Sequence, residues 1–291
     1  MNIGWIGTGI MGASMAGRLK AAGHALSVYN RTRSKAEALL GGTASWCDSP
    51  AEVASKAEIV FTIVGHPRDV EEVYLGGKGI LSSKGVCRIV VDMTTSRPSL
   101  AQIISEKAAL LSIESLDAPV SGGDVGARNG TLAIMVGGRK AVFEEILPLF
   151  QLMGKNISFM GTAGAGQHTK MCNQILVAGT MVGICESLLY AVKVGLDQRA
   201  VFEIVAKGLA GSNLLNVFGP RISQGDFAPG FFIEHFIKDM GIALSEAEAA
   251  GLSLPGLAVV HQLYVAAKAQ GRARSGTQAL YLALKSINGM E

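Results

Sequence analysis

Apolar residues in the first half of the chain cluster in short runs, and the stretches between them repeat apolar positions every three or four residues. The runs "NIGWI", "ALSVYN", "EIVFTIV" and "RIVVDMT" predict strands, and residues 10–22, 33–40, 68–75 and 98–110 predict the helices that follow them. Such alternation builds βαβ units, so a parallel sheet with helices on both faces is expected. Further strands are predicted at "IESLDA", "LAIMVGG" and "NISFMG", with a helix near 140–153. After Gly166 the strand-like runs stop. Residues 167–194 read as one continuous helix, and more helices are predicted near 198–207, 234–250, 256–270 and 276–287. The change of pattern lies in "GTAGAG", which predicts an α/β domain over 1–162 and an all-α domain over 163–291.

Composition narrows the class. The 291 residues suffice for two domains with real cores, and 49% hydrophobic with 17% charged residues marks a globular chain. A net charge of +3 with both signs scattered supplies no basic stripe, so no nucleic acid or anionic membrane partner is expected. Cys47, Cys87, Cys172 and Cys185 lack metal-ligand spacing, which points to a reducing compartment and no metal. The apolar start "MNIGWIGTGIMGASM" has no basic segment ahead of it, and the uncharged run 171–185 is shorter than the roughly 20 residues that span a bilayer. A soluble, cytoplasmic protein is expected.

The first chemistry lies in "IGTGIMG". Gly7, Gly9 and Gly12 follow a strand and open a helix, the spacing that turns the chain, admits a pyrophosphate and lets helix and strand pack closely. The helix start, with Thr8, Ile10 and Met11, then offers N–H groups to phosphate. A Rossmann-type dinucleotide-binding domain is therefore expected, and the all-α domain follows it. NAD sites usually carry an acid about 20 residues on. Here "YNRTRSK" places Asn30, Arg31 and Thr32 there, with Arg33, Ser34 and Lys35 beside them, which favours NADP over NAD. A solvated basic turn is the competing reading. Val64, the last residue of the third run, is placed with the cofactor residues.

Four motifs occur in order: "GTGIMGASMAGRL" at the N-terminus, "DAPVSGG" at 117–123, "GAGQHTK" at 164–170 and "KDM" at 238–240. Together they resemble the signatures of the β-hydroxyacid dehydrogenases, the family of 3-hydroxyisobutyrate dehydrogenase. The resemblance implies that Lys170 is the general base in alcohol oxidation and the acid in aldehyde reduction. It implies that Ser121, Gly122 and Gly123 grip a substrate carboxylate, with Thr95 of "DMTTS" at the same edge and also near the cofactor. The alternatives are a plain glycine-rich turn for "SGG" and a helix cap for Thr95 and Ser96. By the same resemblance Phe231 lies beside the substrate, Lys238 approaches the cofactor and Asp239 orders the site. The family commonly carries Asn four residues after the lysine, whereas this chain has Gln174 there and Asn173 before it, which predicts an altered substrate preference. His168 and His235 are read as structural.

The activity implied is NADP-dependent interconversion of a small β-hydroxy acid and its semialdehyde by a homodimer or homotetramer. A glyoxylate or succinic semialdehyde reductase is the alternative within the class. A 6-phosphogluconate dehydrogenase is disfavoured by the short all-α domain. A non-catalytic NADP-binding sensor module, which would bind NADPH without turnover, is the alternative outside it.

Overall fold

The apolar runs are strands of one nine-stranded sheet. These are β1 (Asn2–Ile6), β2 (Ala25–Tyr29), β3 (Ala44–Trp46), β4 (Ile59–Thr62), β5 (Ile89–Asp92), β6 (Glu114–Asp117), β7 (Val120–Ser121), β8 (Leu132–Gly137) and β9 (Gly154–Gly161). The computed structural model describes residues 1–290 and separates into one unit spanning Met1–Lys170 and a second that begins at Met171.

In the first unit the strands run in the order β3-β2-β1-β4-β5-β6-β8-β7, with β9 beside β8. From β3 to β6 every pairing is parallel. The parallel run expected from the sequence extends that far, and β8 then runs antiparallel to both β6 and β7. β6 and β7 continue in one direction across Ala118 and Pro119 and share a single antiparallel register against β8, Asp117 opposite Gly137 and Val120 opposite Ile134, so the chain reverses between β7 and β8.

Six helices cover the two faces: α1 (Ile10–Ala21), α2 (Pro50–Lys56), α3 (Pro67–Leu75), α4 (Pro98–Ala109), α5 (Gly123–Asn129) and α6 (Lys140–Phe150). Alternate residues of each strand point to opposite faces, so neighbours in sequence join different cores. Trp5, Phe61 and Val91 pack with Met15, Leu19 and Phe150 on one side. Ile6, Val60 and Val90 pack with Val53, Val70, Tyr74 and Leu100 on the other.

The helix expected over 33–40 contracts to a single 3-10 turn, Arg33–Lys35. Only Ala36 and Leu39 of that stretch are buried, with Leu40 packed partly against the same core, too little apolar surface to hold a helix against the sheet. In its place the chain inserts β3 and α2. The sequence reading missed α2, whose start Ser49 caps by accepting from the Glu52 N–H at 3.1 Å and whose first position Pro50 fills.

The second unit is helical throughout. α7 (Ala165–Lys193) starts in the first unit and continues into α8 (Gln198–Val205), α9 (Asn213–Ser223), α10 (Ile233–Ala249), α11 (Pro255–Ala267) and α12 (Leu280–Ile287). Met181, Cys185, Leu188, Phe236, Met240, Tyr264 and Leu280 form its core. At 29 residues α7 is long and apolar enough to cross a membrane by length and composition, a test the uncharged run alone did not meet. α11 stops at Ala267, short of the predicted 270, because the chain then widens into a π-turn and reaches Gly271 at φ +83°.

Candidate active site

Gly7, Gly9 and Gly12 form the turn from β1 into α1. Gly7 adopts φ +99°, and a Cβ there would strike the Ile63 carbonyl on the neighbouring chain segment. A Cβ on Gly12 would strike the Gly7 carbonyl, whereas one on Gly9 would find nothing within 4 Å. Gly7 and Gly12 therefore serve close packing, and Gly9 leaves an open face. Gly9 caps α1 with no side-chain bond, and no acid lies in the first turn. Uncommitted N–H groups at the positive end of a helix suit a pyrophosphate. Thr8 Oγ1 is buried without a partner, and the apolar side chain of Ile10 is 59% exposed. A dinucleotide would satisfy the first and cover the second, so the residues present fit the cofactor.

The sheet order places this loop where a crevice must open. The chain leaves β1 toward β2 and β3, then returns to β4 on the other side, so the loops leaving the carboxyl ends of β1 and β4 diverge. Asn30, Arg31 and Thr32 follow β2. Asn30 does not present its amide outward: Oδ1 accepts from the Thr8 N–H at 3.0 Å and Nδ2 donates to the Thr32 carbonyl at 2.8 Å. It ties the end of β2 to the glycine loop. The Arg31 guanidinium pairs with Asp69 at 3.0 Å, and that of Arg33 lies 5.2 Å from the Trp46 ring centre. Val64 donates its N–H to Thr94 Oγ1 at 2.9 Å, joining the β4 and β5 loops.

Asp92 ends β5 and is buried beneath the segment Thr94–Ser96. Its Oδ1 accepts from Thr62 Oγ1 at 2.9 Å and from the Thr94 N–H at 3.0 Å. Burial pushes its carboxyl up to about 6, against the pull of those hydrogen bonds. Gln167, fully buried on the first turn of α7, donates from Nε2 to the Thr94 carbonyl at 2.7 Å and accepts at Oε1 from the Ser96 N–H at 2.9 Å. One side chain thus clamps both sides of Thr95. The alternative reading of Ser96 as a helix cap finds no support: α4 has Arg97 as its cap residue and Pro98 at its first position, and Ser96 Oγ is buried with no partner.

The helix that carries Lys170 is fixed from β6 as well. Asp117 accepts from the Gly164 N–H on Oδ1 and from the Gln167 N–H on Oδ2, both at 2.8 Å. A carboxylate at a helix start is favoured by the dipole, although burial still pushes the Asp117 carboxyl above the usual range. Gly164 takes φ +91°, and a Cβ on Gly166 would meet the Met135 carbonyl. The glycines of "GAGQHTK" thereby seat the helix against β6 and β8. Lys170 follows one turn after Gly166 and is only 6% exposed, unlike a solvated surface lysine.

Ser121, half-buried, ends β7, and Gly122 and Gly123 lead into α5 with φ +131° and +62°. The helical unit holds a separate polar cluster. Gln174 Nε2 donates to Asp239 Oδ2 at 2.6 Å, its Oε1 accepts from Asn173 Nδ2 at 2.7 Å, and Lys238 Nζ lies 3.0 Å from Asp239 Oδ1. The extra methylene of Gln174 carries its amide to Asp239, so this amide has a protein partner on both its nitrogen and its oxygen. Phe231 meets the buried Phe236 edge-on at 6.0 Å, and Phe232 supports the Arg274 guanidinium at 4.5 Å.

Residues 2–161 match the family model for the NAD binding domain of 6-phosphogluconate dehydrogenase, and residues 164–284 match that for the NAD-binding region of NADP-dependent 3-hydroxyisobutyrate dehydrogenase. The chain is 50% identical over 289 residues to the probable 3-hydroxyisobutyrate dehydrogenase-like 1 of Arabidopsis thaliana, covering 99% of this chain and 86% of that one. It is 40% identical over 285 residues to the 2-hydroxy-3-oxopropionate reductase of Escherichia coli, covering 98% and 97%. The chain belongs to the β-hydroxyacid dehydrogenase family. It is an NAD(P)-dependent oxidoreductase acting on a hydroxyl group. The 3-hydroxyisobutyrate dehydrogenase of Mycobacterium tuberculosis, solved with L-serine, superposes with a TM-score of 0.87 at 27% identity over 98% of this chain and 99% of that one.

Three polar residues of this dehydrogenase escaped the sequence reading: Gln167, Asp117 and Asp92. Each is buried, and each sits at the carboxyl end of a strand or the start of α7. Gln167 and Asp117 lie inside the quoted motifs, so an uncharged or acidic side chain held among glycines was the available signal.

Proposed function

We propose that this dehydrogenase prefers NADP and interconverts a small β-hydroxy acid with its semialdehyde, using Lys170 as general acid and base. The observation that carries the reading is a buried lysine on a helix whose start is fixed by Asp117 and Gln167 to the ends of β6 and β5. When bound, the nicotinamide takes up or returns the hydride. Lys170 Nζ takes the hydroxyl proton as the alcohol is oxidised and gives a proton to the carbonyl oxygen in reduction. Ser121 Oγ and the N–H groups of Gly122 and Gly123 hold the substrate carboxylate, with the Thr95 hydroxyl presented by its clamped segment. Gly7, Thr8, Gly9, Ile10, Met11 and Gly12 hold the pyrophosphate, Arg31 and Thr32 take the 2′-phosphate, and Asn30 supports both loops. Val64, Thr95 and Lys238 complete the cofactor set. The roles of Asn173, Gln174, Phe231 and Asp239 on the substrate side follow from the family resemblance.

The name of the Escherichia coli relative makes 2-hydroxy-3-oxopropionate the first substrate to test. NADPH oxidation is to be followed with this compound, methylmalonate semialdehyde, succinic semialdehyde and glyoxylate. At least one semialdehyde is expected to turn over, and Lys170→Ala should lower kcat at least a hundredfold with NADPH affinity kept. Near-normal turnover in that variant would remove Lys170 from the mechanism. Leu176 and Tyr190 leave large apolar surface exposed on α7, at 72% and 68%, which favours a homodimer or homotetramer in solution, checked by light scattering. We read the protein as water-soluble and cytoplasmic, with α7 a core helix and neither nucleic acid nor membrane as partner.

A further inference from the structure

The proposed 2′-phosphate ligand already has an anionic partner. Arg31 Nη1 lies 3.0 Å from Asp69 Oδ1, and the arginine side chain is 82% exposed while the aspartate is 17% exposed. The aspartate is the fixed member. It occupies the third position of α3, and its Oδ2 accepts from the N–H of the cap residue His66 at 3.1 Å. A Cβ on Gly65 would press on the same oxygen at 3.3 Å, so the absence of a side chain there leaves room for the carboxylate. The β4–α3 loop that leads into the first turn of α3, where Asp69 sits, borders the cofactor loop, because the Ile63 carbonyl lies against Gly7. Arg33 meanwhile lies over the Trp46 ring, which leaves Arg31 as the guanidinium of this turn that is paired with α3.

We propose that Asp69 is a specificity-determining residue that tempers the preference for NADP over NAD, an inference that rests on Arg31 binding the 2′-phosphate. One carboxylate oxygen orients the guanidinium, and the same negative charge offsets it. The two effects oppose each other, and their sizes differ. An exposed ion pair orients its partners weakly, so losing it costs only a few-fold at most. A fixed carboxylate beside a phosphate that carries nearly two negative charges repels it at short range, and NAD has no charge there to repel. Repulsion therefore dominates, and removing the carboxylate favours NADPH alone. The four remaining guanidinium N–H groups stay available to the phosphate.

The test is titration of the purified protein with NADPH and with NADH, followed by nicotinamide fluorescence, for the wild type, Asp69→Asn and Arg31→Ala. Asparagine retains an acceptor for the His66 N–H, so α3 keeps its cap. Asp69→Asn is expected to tighten NADPH three- to tenfold and to leave NADH within twofold. An NADPH:NADH affinity ratio within twofold of wild type, or an equal change for both cofactors, would overturn the role of Asp69 and leave it a helix cap. Arg31→Ala reads the underlying assignment separately: it should loosen NADPH at least tenfold and spare NADH, and an unaltered ratio in that variant overturns Arg31 as the 2′-phosphate ligand and the inference with it.

Discussion

Replacing Gln167 with leucine tests how firmly the Thr94–Ser96 segment is tied to the lysine-bearing helix. Leucine nearly preserves the volume of this fully buried side chain but removes both of its hydrogen bonds to the segment, at 2.7 and 2.9 Å. The Thr94 carbonyl and the Ser96 N–H are then buried without partners, at about 1–3 kcal/mol each. Added apolar burial returns part of this, so a net loss of about 2–4 kcal/mol is expected. Both tryptophans, Trp5 and Trp46, lie in the first unit, so urea unfolding followed by tryptophan fluorescence reads that unit directly. Turnover should fall at least tenfold in the same variant, because Thr95 no longer holds one position. Thr169→Val is the control: it removes only a local bond from Thr169 Oγ1 to the Ala165 carbonyl at 2.8 Å. A Gln167→Leu midpoint equivalent to less than about 0.5 kcal/mol, indistinguishable from the control, would refute the clamp.

Two other outcomes are expected. The Asp92 carboxyl sits at about 6 in the folded chain, above its ordinary 3.8, so the folded state binds its proton more tightly. Its charging therefore costs nothing below pH 4, lowers stability as pH rises from about 4 to about 6, and levels off above that at roughly 3 kcal/mol. Asp92→Asn cannot titrate, so the stability of the wild type relative to this variant should fall by that amount between pH 4 and 7 in thermal melts; a flat difference would contradict the burial argument. Gly9→Ala meets no protein atom within 4 Å, so the variant should fold within about 1 kcal/mol of wild type while losing at least tenfold in NADPH affinity. Unchanged affinity would show that the cofactor does not approach that face.

Local pattern carried much of this fold. β1, the glycine turn and α1 were readable because strand period, glycine spacing and helix start fall within 20 residues of one another. The turn after β2 was misread as a helix because its basic residues resemble an exposed helical face. β3 is three residues long and offers no period to detect. α9 was missed because Gly219 and Pro220 look like a turn; in the fold Gly219 packs against Phe202 and the helix starts from a Ser212 cap. In the candidate site the glycine turn was legible because residue type and spacing alone state its backbone geometry. The site was opaque where a buried polar group finds a distant partner. Asp117 reaches Gly164 across 47 positions, and Gln167 reaches Thr94 across 73. Which strand ends come together depends on sheet order, and no local window contains that information.

The two bonds of Asn30 have a practical consequence for redesign. Cofactor choice is often altered by installing an acid after the second strand, and here that position also stitches two loops together. Aspartate at position 30 would preserve the acceptor for the Thr8 N–H and forfeit the donor to the Thr32 carbonyl. Editing position 31 instead spares both stitches, so selectivity can be rewritten one residue away from the seam without unpicking it.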